Sequence, residues 1–429
     1  MKRVAIIGTG IAGMAAAERL SRSFRLRVYE RNRYVGGHTN TVVVPEGGGE
    51  VPVDTGFMVY NEVTYPRLTA LFERLGVETM PTDMSFGVHH VGHNLYWGSR
   101  LPSGLFAQRR NLSRPAFWRM LGDVLRFNRR ALTILEDPAW EDRSLGDFAE
   151  TFRFSRTFLD FYLLPMTAAI WSSPHERMLE FPVTALMRFL HNHGLLGVRT
   201  QHPWRTVKGG SRAYREKLIA PYRDEIQTAR AAVAVEREVT GATVVDLDGH
   251  RERFDAVVIA THADEALSLL AEPRDDERRL LGAFPYSAND VCLHTDSGVL
   301  PPRRHAWMSW NYRVEAGAQA GAFQASTHYW MNRLQRVSET RDYFVSVNAP
   351  EGLVDPARVL WQTTYHHPNF DLGSARAQRE LPALNATGPV FFAGSYFRYG
   401  FHEDALMAGE SAAAAVQRTA DESAEVLSL

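Results

Sequence analysis

The chain has 429 residues, 45% hydrophobic and 23% charged, which is enough apolar material for a sizeable core and enough length for two domains. A formal net charge of −1 removes any global attraction to nucleic acid or to an anionic surface, so such a pull must be local. The single cysteine, Cys292, excludes an internal disulfide and a cysteine metal cluster, and its VCLH setting reads as a core strand. Residues 4–7 are four consecutive apolar residues and predict a buried parallel strand. They are too few for a signal-peptide core, and no apolar run is long enough to span a bilayer; the best candidate, 161–173, holds Pro165. A cytoplasmic location is expected. Gly8, Gly10 and Gly13 follow the strand as G-x-G-x-x-G, with Ile11 and Ala12 opening a helix that runs to Leu20. A second strand at 26–29 ends at Glu30, with Arg31 next to it. This strand–turn–helix–strand–acid layout is the one needed to hold a dinucleotide. The helix start offers free N–H groups and a positive dipole end to phosphates. Glu30 suits ribose hydroxyls and would repel a 2′-phosphate, which disfavours NADP.

Gly36-Gly37 follows soon after, then His38-Thr39-Asn40. Together with the first motif, this resembles the N-terminal fingerprint of the flavin amine oxidase superfamily, which includes protoporphyrinogen oxidases and carotenoid desaturases. The resemblance implies FAD, with the glycine pair beside its diphosphate. The family usually carries Arg after the pair where this chain has His38; a covalent flavin bond at His38 is the lesser reading. A plain NAD-binding domain would not need the second glycine pair.

Residues 41–60 alternate as two strands around Gly47-Gly48-Gly49. Asp54-Thr55-Gly56 resembles the family loop that passes the flavin. Residues 65–75 predict a helix ended by Gly76. His89, His90 and His93 fall in a strand-like stretch without carboxylate or cysteine partners, so strand-surface residues are favoured over a metal site. In 115–135 a helix is predicted, with Phe117, Leu121, Val124, Leu125, Leu132 and Leu135 as its apolar stripe and Arg119, Asp123, Arg126 and Arg130 opposite. Arg109, Arg110 and Arg114 lead into it. An ordinary packed surface helix and a helix docking on anionic lipid both fit. Residues 152–196 are rich in aromatic and apolar residues, as a core or as the walls of a tunnel for a long apolar substrate.

Residues 203–218 resemble the family segment in which a glycine pair, Gly209-Gly210, approaches the isoalloxazine, with Lys208 beside it. Val235 lies in a stretch resembling the strand that contacts the adenine. Residues 257–260 predict a buried parallel strand that rejoins the dinucleotide fold. Residues 390–415 resemble the superfamily's C-terminal FAD motif. There a strand meets Gly394, and a loop with Tyr396, Tyr399 and Gly400 leads into a helix beginning near Glu403, with Asp404 and Ala405. That helix start would stabilise the anion of reduced flavin.

The expected fold is α/β: a doubly wound Rossmann-type FAD-binding domain (1–80, 203–270 and 381–429) with a discontinuous α+β, amine oxidase-like substrate domain (81–202 and 271–380). The cofactor set is Gly8, Gly10, Ile11, Ala12, Gly13, Glu30, Arg31, Gly36, Gly37, His38, Thr55, Gly56, Lys208, Gly209, Val235, Gly394, Gly400, Asp404 and Ala405, with no metal. The whole pattern is most similar to a bacterial subgroup associated with cyclopropane-synthase-like lipid methyltransferases and linked to furan fatty acids. The resemblance implies desaturation of a methyl-branched acyl chain by hydride transfer to flavin N5. His366, His402, Glu403, Asp404 and Tyr399 are the catalytic candidates. The expected partners are a lipid or long apolar substrate, the inner face of the cell membrane and a lipid methyltransferase, with no nucleic acid. A soluble amine oxidase and a non-catalytic flavin-binding scaffold are the alternatives.

Overall fold

Strand Arg3–Ile7 is buried in four of its five residues because it lies at the centre of a five-stranded parallel sheet. Its neighbours are Arg25–Tyr29 on one side and Ala256–Ile259 on the other; Ile226–Gln227 and Val390–Phe392 complete the edges. Sequentially distant segments thus build one sheet, whose strand ends open on a common edge. The computed structural model describes residues 1–172, 175–197, 200–316 and 323–427.

A second, seven-stranded sheet runs Val359–Pro368, Tyr286–His294, Phe344–Val347, Phe323–Trp330, Trp310–Ala316, Phe86–His90, Leu95–Gly98. It is antiparallel except where Trp310–Ala316 pairs Phe86–His90. Cys292 lies in its second strand and is a free thiol. The 41–60 region forms the hairpin Thr41–Glu46 with Gly49–Asp54. Helix Pro66–Leu75 ends where Gly76 takes φ +60°, a left-handed cap that costs glycine little.

A helical lobe packs beside the second sheet. Segments Arg156–Phe158, Leu159–Leu163 and Leu164–Trp171 run on as one helix with a π-type turn in the middle. Pro165 has no N–H, so the Phe161 carbonyl four residues back loses its helical partner. Trp97 replaces it, its indole Nε1 donating to that carbonyl at 3.1 Å. Helix Pro115–Ile134 corrects the expected stripe. Its buried residues are Phe117, Met120, Asp123, Phe127, Ala131 and Ile134, so the face is rotated. Leu125 and Leu132, expected inside, are 54% and 46% exposed, while Asp123, expected outside, is buried. The reason is that Phe127 fills the aromatic core against Phe148, Phe154 and Phe158, Phe117 and Met120 pack with Val88, Trp97 and Phe161, and Asp123 is held by Arg126 and the Ser155 N–H. Among the described residues, no helix is long and apolar enough to cross a membrane.

The first helix, Ile11–Leu20, crosses the last, His402–Leu427, at a glycine. A Cβ on Gly409 would stand 2.1 Å from the Ala12 carbonyl oxygen. Gly409→Ala is therefore expected to lose about 2 kcal/mol of stability in urea unfolding. Gly122→Ala, at an open helix position with nothing within 4 Å, is expected to gain about 0.5–1 kcal/mol.

Candidate functional site

The three glycines of the first turn do different work. A Cβ on Gly8 would meet the Ala260 carbonyl oxygen at 2.7 Å, and one on Gly13 would meet the Gly8 carbonyl oxygen at 2.0 Å. Both are packing glycines that let the helix sit against the sheet. Gly10 faces open space, and the helix N–H groups beyond it are directed at an anion. Gly37 lies over this turn, 3.4 Å from the Gly10 Cα measured from its own would-be Cβ. Glu30 closes the second strand, 5% exposed. Its carboxylate accepts from the Thr9 N–H and hydroxyl and from the Asn32 backbone and side-chain N–H groups. Two donors on each oxygen occupy its lone pairs, so a ribose hydroxyl would have to share or displace one of them. Arg31 pairs with Glu265 at 2.5 Å.

A cavity of about 580 Å³ begins here and continues into the second half of the molecule. Gly8, Gly10, Ile11, Ala12, Glu30, Arg31, Gly36, Gly37, His38, Gly56, Gly394, Gly400, Ala405, His366 and His402 line it, so the structure brings together most of the sequence candidates from both chain ends. Gly13 lies behind the turn. Thr55 also stands back, bonded to Asn40 and to the Tyr365 hydroxyl.

Six further residues of the expected set lie off the cavity wall. Lys208 is exposed and paired with Glu78 at 2.9 Å, away from the cavity, and Gly209 faces open space outside it. The second glycine of that pair approaches protein instead. Gly210, at φ +83°, brings the Ser211 N–H to the buried Asp54 carboxylate, which Thr41 and Gln335 also hold. Val235 is 1% exposed in the sheet behind the cavity; Ala231 and Ala232, a few residues earlier, form the wall. Glu403 does not face the cavity, because its two oxygens accept from the N–H groups of Arg67 and Leu68 and cap helix Pro66–Leu75. Asp404 is likewise buried and accepts from the Phe401 N–H within the first turn of its own helix. Burial pushes its carboxyl up to about 7. Tyr399 is half-buried under Arg398 and beside Phe189, not on the cavity wall.

Histidines dominate the middle of the cavity. His402 stacks on Phe57 with centroids 3.9 Å apart and shares its Nε2 with the Tyr214 hydroxyl, which bonds Thr39 in turn. Burial depresses its pKa to about 3. His38 Nε2 meets His367 Nε2 at 3.1 Å, so one ring donates and the other accepts. Burial, reinforced by the neighbouring imidazoles, holds His38 far below the usual range and His367 at about 4. His367 and His262 also line the cavity and were not among the expected residues; the sequence places His367 directly beside the candidate His366. His90 and His93 also touch, at 3.2 Å. The only described group with metal-ligand spacing is Asp246, Asp248 and His250, where Asp246 holds its own turn.

Beyond the histidines the cavity is apolar. Met84, Phe86, Met166, Ile170, Phe189 and Trp310 are among its walls. Four buried polar atoms on lining residues have no protein partner: Trp204 Nε1, Trp310 Nε1, His367 Nδ1 and the Tyr396 hydroxyl. Such groups are expected to find one in a bound molecule. A groove with a glycine turn opening a helix, a buried acid at the end of the second strand and orphaned polar atoms fits a dinucleotide that carries a polar ring system.

The model of the family described as flavin containing amine oxidoreductase matches residues 11–417. The chain belongs to that family. Its cofactor is FAD, and its fold is amine oxidase-like, a Rossmann-type half with a separate substrate half. Cyclohexylamine oxidase from Brevibacterium oxydans IH-35A superposes with a TM-score of 0.70 at 17% identity, over 98% of this chain and 99% of that one. Wild-type putrescine oxidase bound to putrescine gives 0.66 at 15%, over 97% and 99%. A CLA-producing fatty acid isomerase from P. acnes gives 0.66 at 14%, over 97% and 98%. At these identities the likeness is one of fold. No curated protein sequence matches the chain.

Two outcomes are expected of this flavoprotein. Gly10→Ala has room for its methyl group, so it should keep its unfolding midpoint while losing at least about tenfold in FAD affinity, read by flavin fluorescence. Stability should also fall on acidification. His193 and His294 are held neutral down to about 4, His402 to about 3, and His328 further below its usual value, all by burial. Between pH 6.5 and 4 the unfolded chain therefore binds more protons than the folded one. Each such imidazole costs up to about 1.4 kcal/mol per pH unit in that window. Asp404, raised to about 7, works the other way between pH 3.8 and 7. Burial also raises the carboxyls of Asp54 and Glu403, but it lowers His38, His262 and His367 as well, so the imidazoles outnumber the carboxyls and the urea midpoint should drop from pH 7 to pH 5.

Proposed function

We propose that this flavin oxidoreductase desaturates a lipid acyl chain, on the resemblance a methyl-branched and phospholipid-linked one. The observation that carries the reading is the distribution of charge in the cavity. Glu30, Arg31 and Glu265, its charged residues among the described ones, all belong to the dinucleotide end. The other end presents methionine, phenylalanine, isoleucine, leucine and tryptophan side chains. Burying a cation or a carboxylate there without a partner would cost several kcal/mol, whereas each methylene of an acyl chain gains about 0.8 kcal/mol.

Bound FAD supplies a two-electron acceptor for a hydride. The residues do the rest. The apolar wall would exclude water and lay the chain along the cavity, while the first turn of helix His402–Leu427, whose His402 and Ala405 line the cavity, would offer N–H groups to a bound ring. Desaturation also releases a proton. Its position makes His367 the residue to take it: it lines the cavity with an unpartnered Nδ1. Its Nε2 contact with His38 fixes the ring. A lipid methyltransferase, which would install the branch, is the proposed partner, and the inner membrane surface the proposed workplace.

A neutral amine also fits an uncharged wall, and cyclohexylamine oxidase shares the fold. Anaerobic bleaching of the yellow protein separates the two. Methyl-branched acyl phospholipids should bleach the flavin and yield a product lacking two hydrogens, and cyclic or aliphatic amines should not. Phe189→Asp, which places a carboxylate on the wall, should slow bleaching at least about tenfold with flavin binding unchanged. Bleaching by amines alone would reject the acyl reading.

A further inference from the structure

The leucines that helix Pro115–Ile134 turns outward form a pattern. Trp118, Leu125 and Leu132 are 50%, 54% and 46% exposed. Spaced seven apart, they drift only about 20° per step around the helix and make one stripe about 21 Å long. Leu112, 54% exposed, continues it through the preceding turn, where its carbonyl accepts from Trp118 Nε1 at 3.0 Å. Phe106 packs on Trp118 at 5.9 Å, and Leu101, 60% exposed, lies in the same loop. Exposed arginines border the stripe: Arg109 and Arg110 before the helix, Arg119, Arg129 and Arg130 on it. Among the described residues no carboxylate pairs with any of these five. The only acid from 109 to 133 is Asp123, 8% exposed and held by Arg126 and the Ser155 N–H.

We infer that this face docks the protein on an anionic bilayer, the helix lying in the plane of the headgroups. Unneutralised arginines match lipid phosphates and carboxylates, and their long stems reach the headgroups while the leucines insert. Tryptophan at the end of the stripe suits the interface, where an apolar ring and a polar N–H are both satisfied. The inner side of the same helix rests on Val183–Asn192, whose Phe189 lines the cavity. Docking therefore sets the lobe that walls the chamber against lipid. That last consequence rests on the acyl reading, but the docking itself does not.

The test uses the FAD-bound protein with vesicles of phosphatidylcholine, with and without phosphatidylglycerol, at low and high salt. Sedimentation with the phosphatidylglycerol vesicles is expected, weakening at least tenfold at high salt or without the anionic lipid. Each arginine near such a surface contributes roughly fivefold. Arg119→Gln/Arg129→Gln/Arg130→Gln should therefore lose binding by roughly two decades and flatten the salt dependence. Leu125→Glu/Leu132→Glu should lose it while keeping the wild-type flavin spectrum and unfolding midpoint. Wild-type protein that stays in the supernatant with anionic vesicles, or both variants sedimenting like wild type, overturns the proposal. An acidic protein as the true occupant would give the first of these results. Protein that sediments yet oxidises no acyl lipid keeps the docking face and loses only the substrate reading.

Discussion

The close crossing of the first and last helices at Ala12 and Gly409 holds the rest in place. With no side chain at 409, the two backbones touch, and each helix is fixed at its N-terminal end. Gly8 and Gly13 do the same between the first helix and the sheet. Two positive helix ends, separated by most of the chain, thus open on one cavity. On the family resemblance, one would meet a diphosphate and the other a ring that gains negative charge on reduction. Any side chain larger than hydrogen at the crossing would part the helices and spread the two ends.

Around this frame the acidic residues of the last helix serve position. Glu403 caps Pro66–Leu75 and so ties that helix to the first turn of His402–Leu427. Asp54 gathers Thr41, Ser211 and Gln335 and fastens the hairpin to the segment leading into the next helix. These buried carboxylates are expensive to desolvate, and each is surrounded by donors that offset the cost. The polar atoms left open toward the cavity are neutral ones: two indole N–H groups, the Tyr396 hydroxyl and the His367 Nδ1.

The dinucleotide half was legible in the sequence because its chemistry is local. Glycine spacing, an acid at the end of the second strand and a left-handed cap at Gly76 are each set by a few adjacent residues. The site's outer parts depended on contacts that no window contains. Gly209-Gly210 looked like a cofactor-facing pair, but the approach that needs glycine is to Thr41 and Asp54, over 150 residues earlier. Helix Pro115–Ile134 has apolar residues on both sides, so periodicity alone could not choose the buried one; Phe127 and the aromatic cluster behind it chose. His367 escaped because adjacent histidines at a strand end look alike until the partner His38 is in place.

A chamber walled without charge selects by what it refuses. On the acyl reading, no charged side chain meets a head group along the apolar wall, so a charged or strongly hydrated terminus would halt where that lining begins. How far the remainder threaded inward would then depend on its length, and the bond presented for oxidation would be counted from that stopping point. On the acyl reading, regiochemistry becomes a property of cavity depth, and shortening the depth by one bulky wall residue would shift the oxidised position along the chain.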